Sequence, residues 1–256
     1  MTRASPRTHF HSSKLLRCLA DLSLVDAADS GGAFAEQLGL WIHFADAIAL
    51  SAVHSDCIAS APKTRHGMQH KGPAVVHADA EFDRIQALLM NSIRKSFSPG
   101  LGKAHITLPT PILELPLDVA AAYAPYRRFY EAHQRDMELS IQPLRVNIRA
   151  AVAKTSPELG KLADLDAALE KILRDRERQL LSKVPVLLRK RFDYLFKEHQ
   201  QRLADTGQAD NPAGWTQAGG WLARFFHDMQ MLLLAEAELR LQPAMGLIEA
   251  FKQETQ

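Results

Sequence analysis

Apolar residues return along most of this chain at the three-and-four spacing of a helix and seldom at the alternation of a strand. The clearest run lies within 34–53, where Phe34, Leu38, Trp41, Ala45, Ile48 and Ala52 follow at steps of 4, 3, 4, 3 and 4. These residues form one stripe, with Glu36, His43 and Ser51 largely off it and Leu40 and Phe44 widening the apolar surface. A core helix packed on two neighbours is the ordinary outcome of such a pattern. Shorter helices are predicted over 12–25, with Ser12 and Ser13 as N-cap candidates, and over 78–97. In the latter, Phe82, Ile85, Leu88 or Leu89, and Ile93 make the buried face, and Asp79 suits the helix start.

Between these helices, 61–76 mixes Pro62, Gly67, Gly72 and Pro73 with Lys63, Arg65, His66, His70 and Lys71, which reads as an exposed loop. Ser98, Pro99 and Gly100 stop the next helix. The stretch 101–116 is the least helical, with Pro109, Pro111 and Pro116. Its short β-like run, 105–108, is read as extended chain lying over helices.

From 117 onward three long helices are predicted, over 118–154, 157–203, and from 215 or 219 to 252. Pro157 suits the first turn of the second. There Leu162, Leu165, Leu169 and Ile172 step by 3, 4 and 3, and after a phase drift Leu173, Leu180, Val184, Leu187 and Leu195 carry on a coiled-coil-like seam. In the third, Leu222, Phe225, Met229, Leu232, Glu236 and Leu239 form the stripe. Whether Pro143, Pro185 and Pro243 kink or end these helices stays open. Glu138 to Pro143 and Glu238 to Pro243 match at four of six positions, an echo ascribed to biased composition rather than to a repeat. The expected fold is all-α: an N-terminal helical unit (1–100), a Pro-rich connector (101–116) and an antiparallel bundle of long kinked helices (117–256).

Composition narrows the setting. Apolar residues at 46% and charged residues at 23% describe a chain able to bury a core, and a net charge of +2 leaves electrostatic targeting to local clusters. Only two cysteines, Cys18 and Cys57, fit a reducing compartment. Arg3, Arg7, Lys14 and Arg17 precede too short an apolar run for a signal peptide, and Glu36, His43 and Asp46 interrupt the best membrane-span candidate. A cytoplasmic protein without a transmembrane segment is expected.

Candidate chemistry is sparse. His54 and Cys57 are three apart, and His66, His70 and His77 follow, but no pairing of a structural zinc site occurs, so metal binding there is left undecided and none is assigned. His43 and Asp46 share a helix face, which fits a packing pair better than acid–base work. Nucleophile elbows and full phosphate-binding loops are absent. The expectation is no enzyme, no catalytic residue and no cofactor. The informative polar feature is the basic run 171–191, with Arg176, Lys183 and Lys190 seven apart and Arg189 and Arg191 beside them. A solvated helix face is the commoner meaning of such a run; an anionic surface or an acidic protein partner is the functional one.

Residues 128–135 (Arg-Phe-Tyr-Glu-Ala-His-Gln-Arg), 141–145 (Ile-Gln-Pro-Leu-Arg) and 239–243 (Leu-Arg-Leu-Gln-Pro) resemble an uncharacterised proteobacterial family of helical proteins bearing only a domain-of-unknown-function label. The resemblance implies encoding near TolQ/ExbB/MotA-type proton channels and an OmpA-like envelope protein, hence a cytoplasmic accessory of a membrane complex. It brings no catalytic residues. The expected function is an interaction or scaffold protein that binds protein partners through amphipathic helix faces. Nucleic-acid or anionic-surface binding through 171–191 is the alternative. Self-association and peripheral membrane attachment are both compatible with the pattern.

Overall fold

A computed structural model describes residues 13–25, 46–48, 50–51, 73–98, 100, 102–112 and 116–254. Among them every regular element is helical. Helix α1 (Lys14–Asp21) starts where the Ser13 hydroxyl accepts from the Leu16 amide, and it buries Leu15 and Leu19. Helix α2 (Pro73–Phe97) begins earlier than the pattern predicts, with proline in its first turn, where a missing N–H costs nothing. The stretch after it forms no strand: Ser96 Oγ donates to the Ile106 carbonyl at 2.6 Å, and Ile106 and Leu108 lie on the core. The stripe at 34–53 falls mostly outside the described residues.

The rest of the fold is three rods. The first is α3 (Val119–Val152), capped by Asp118, whose carboxylate accepts from the Ala120 and Ala121 amides. The second is not the continuous helix predicted over 157–203. It is α4 (Pro157–Leu181), a break at Ser182 and Lys183, and α5 (Val184–Thr206), which ends on Gly207 at φ 62. Pro185 explains the break. It has no N–H to give the Leu181 carbonyl, so the α-helical ladder cannot pass through, whereas in the first turn of a new helix it is harmless. The third rod is α6 (Trp221–Glu254). Pro143 and Pro243 lie inside α3 and α6, both 34 residues long, so neither ends its helix.

Direction follows from contacts. Tyr123, Gln134 and Arg145 of α3 meet Pro185, Leu181 and Asp166 in descending order, so α4 and α5 run antiparallel to α3. Tyr126 meets Phe225 and Tyr130 meets Glu236, so α3 and α6 run parallel with the middle rod opposed. Helices α1 and α2 pack on this bundle, and their Leu15, Leu19, Phe82 and Ile93 belong to the same buried cluster as Phe225 and Ile148.

One end of the bundle is aromatic. Phe192 lies 5.0 Å from Phe225 and 5.2 Å from Trp221, both edge-to-face, with Tyr123 and Tyr126 alongside. The loop into α6 is clasped there: Asp210 Oδ1 is 2.9 Å from His199 Nε2 and accepts from Trp215 Nε1 at 2.8 Å. Gly220 makes the turn, because a Cβ there would sit 2.2 Å from the Trp215 carbonyl oxygen. Gly220→Ala is expected to lower stability by about 1–3 kcal/mol in urea unfolding. A change below about 0.5 kcal/mol would show that the loop relaxes freely.

Candidate functional site

The polar centre of the molecule lies where the three rods meet. Glu236 is wholly buried, in the middle of the apolar stripe of α6. Tyr130 donates to its Oε2 at 2.9 Å, and Gln134 Nε2 donates to its two oxygens at 3.0 and 3.1 Å. Arg240, one turn on, reaches Oε1 through two nitrogens, at 2.9 and 2.8 Å. The same Gln134 amide donates to the Leu181 carbonyl at 2.9 Å, supplying the bond that Pro185 denies it. Burial, and then the Glu236 charge, push the Tyr130 hydroxyl well above its ordinary pKa, so it remains a donor. One amide and one carboxylate therefore fix the α4–α5 break against both neighbouring rods.

Beside this centre an open cleft of about 70 Å³ separates α3, α4 and α6. Arg145, Arg174, Arg178 and Arg240 line it, Arg149 lies one turn beyond Arg145, and each guanidinium already has an acidic partner. Arg145 Nε donates to Asp166 at 2.9 Å, Arg149 pairs with Glu170, Arg174 reaches Glu170 at 2.8 Å, and Arg178 pairs with Glu138. Burial alone would raise the Glu170 carboxyl, but hydrogen bonds from Arg174 and Arg149 and the charge of Arg145 hold it below its ordinary range. Arg145 and Arg149 are held within these pairs, whereas the Arg174 and Arg178 side chains remain 43% and 57% exposed. The cleft acts as a clamp between α3 and α4.

The basic residues singled out in the sequence are divided between α4, the break and α5. Arg176 lies on α4 and Lys190 on α5, with Lys183 in the break, and all three are exposed. Arg189 lies 3.9 Å from Asp193. Arg191 is largely buried, pairs with Asp228 at 2.8 Å and lies 5.5 Å over the Tyr194 ring, so it joins α5 to α6. Among the described residues no acidic group pairs with Arg176, Lys183 or Lys190.

His43, His54, Cys57, His66 and His70 lie outside the described residues, and His77 is exposed on α2. Among the described residues no three His, Cys, Asp or Glu side chains group as metal ligands. Burial pushes the Cys18 thiol up, which favours its protonated form.

Two apolar rows face outward. On α3, Leu139 is 71% and Val146 50% exposed, and with exposed Pro143 and Ala150 they keep helical steps of 4, 3 and 4. On α4 the coiled-coil-like seam is largely unburied: Leu159, Ala163 and Leu181 are the fully buried positions, whereas Leu165 and Leu180 are exposed. Asp166 and Glu170 take the positions facing α3, and no apolar pattern reveals that.

Fold and site together define an all-helical protein held by buried ion pairs, with apolar helix faces turned outward. The chain belongs to the DUF3348 family, described as proteins of unknown function, whose family model matches residues 1–253. No curated protein and no solved structure matches it.

Proposed function

We propose that this protein is a non-enzymatic interaction protein whose α3 face receives an amphipathic helix of a protein partner with acidic flanks. The row Leu139, Pro143, Val146 and Ala150 carries the reading, because large apolar side chains at helical spacing stand in water there. Charge defines the partner. Arg135 continues the exposed face at one end, and Arg174 and Arg178 of α4 lie along its flank. Its place is the cytoplasm, at the inner surface of a bacterial membrane beside an envelope or proton-channel complex. The resemblance to a proteobacterial family supports that finer statement. Among the described residues no helix is long and apolar enough to cross a membrane, which agrees with a peripheral role.

The test is affinity purification of tagged protein from its own host, from membrane and soluble fractions, with and without nuclease. A specific partner resistant to nuclease is expected, and Leu139→Glu/Val146→Glu should remove it with the helical content unchanged. The same recovery from both proteins would end the proposal.

The exposed, unpaired Arg176, Lys183 and Lys190 favour a second reading, binding to an anionic surface. That reading requires nuclease-sensitive or salt-sensitive recovery, lost when all three are changed to glutamate.

A further inference from the structure

Helix α4 carries a row that stays largely outside the core formed by the described residues. Leu162, Leu165, Leu169 and Ile172 lie about a third of a turn from the side of Ala163, Asp166 and Glu170 that faces α3. Leu162 touches the core, but Leu165, Leu169 and Ile172 take no part in it. Leu165 is 38% exposed, and the other two are half-buried.

The row is self-complementary. Outward from Ala167 it reads Leu165 and Leu169, then Leu162 and Ile172, then Glu158 and Arg176, each pair equidistant from the centre. Glu158 and Arg176 are exposed, and among the described residues neither has an ion pair. We propose that α4 pairs antiparallel with α4 of a second copy of this chain, about a twofold axis at residue 167. Leu165 then packs on the partner's Leu169, Leu162 on the partner's Ile172, and Glu158 meets the partner's Arg176, each contact made twice by symmetry. Ala168 lies beside the axis, small enough for close approach. A parallel pairing would set Glu158 against the partner's Glu158 and Arg176 against the partner's Arg176, so the charges also choose the direction.

The matched segment, 158–176, spans about 27 Å of helix axis, which places the contact at the small end of specific interfaces. The dimer is therefore reversible, with a dissociation constant on the order of micromolar. It uses a different face from the α3 row, so each face can fail while the other holds.

Sedimentation equilibrium of the full chain over a concentration series tests the pairing. Wild type is expected to pass from monomer to dimer, and Leu165→Glu to stay monomeric with unchanged far-UV circular dichroism. Glu158→Arg and Arg176→Glu should each weaken the dimer about tenfold, because each reversal creates two repulsive contacts. The double variant should return to within about threefold of wild type. A wild type monomeric throughout, a dimer indifferent to Leu165→Glu, or no rescue in the double variant would overturn the pairing. So would a monomer that Leu165→Glu destabilises, since the row would then be covered within one chain.

Discussion

Glu236→Ala is expected to cost about 3–5 kcal/mol of unfolding free energy, the price of leaving a buried charge without its partner. The carboxylate is fully buried and the Arg240 side chain only 13% exposed. Removing the first strands the guanidinium, orphans the Tyr130 hydroxyl and takes two acceptors from Gln134. The pair itself need not be strongly stabilising, since both charges lost their hydration on folding. Hence Glu236→Leu/Arg240→Met should recover most of the loss, and the non-additivity is the informative quantity. Urea unfolding of wild type, both single variants and the double variant measures it. A Glu236→Ala effect below about 1 kcal/mol would mean that water reaches the site and screens Arg240.

This network also marks where the sequence stops being legible. Glu236 stands in the apolar stripe of α6, but its partners Tyr130 and Gln134 lie 106 and 102 residues away, beyond any periodicity argument. Local chemistry was readable: Pro157 opens α4, and the stripe Leu222, Phe225, Met229 and Leu232 is buried as its spacing predicts. The division of the middle rod was not, because Leu180, Val184 and Leu187 keep helical steps across the break. Nor was the inward side of α4. Its contact with α3 runs through Arg145–Asp166 and Arg149–Glu170, which polarity alone assigns to solvent. In the basic run, residues alike in sequence divide between solvent (Arg176, Lys183, Lys190) and structure (Arg191).

His133 makes the second large prediction, a loss of stability in mild acid. Its ring is buried in α3, 4.8 Å from Phe129, and its Nε2 has no hydrogen-bond partner among the described residues. Burial disfavours the imidazolium and lowers the pKa from 6.5 to about 4. A proton then binds the unfolded chain near pH 6.5 but the folded chain only near pH 4, so the unfolded state holds more protons between these values. Stability is full above the upper value and falls as the pH drops through the window. Below the lower value both states are protonated, and this loss is complete. At about 1.4 kcal/mol per tenfold difference in proton affinity, the window is worth about 3 kcal/mol. Carboxylates held down by arginine, such as Glu170, lose their stabilising ionisation only at lower pH, so a control must separate the two. His133→Leu supplies it, since leucine fills much of the ring's space, removes the unpartnered nitrogen and does not titrate. Wild type should lose about 3 kcal/mol more than the variant between pH 7 and pH 4 in parallel urea unfolding curves. Curves that fall together would show that His133 finds a partner or water on protonation, and would remove burial as the cause of the acid sensitivity.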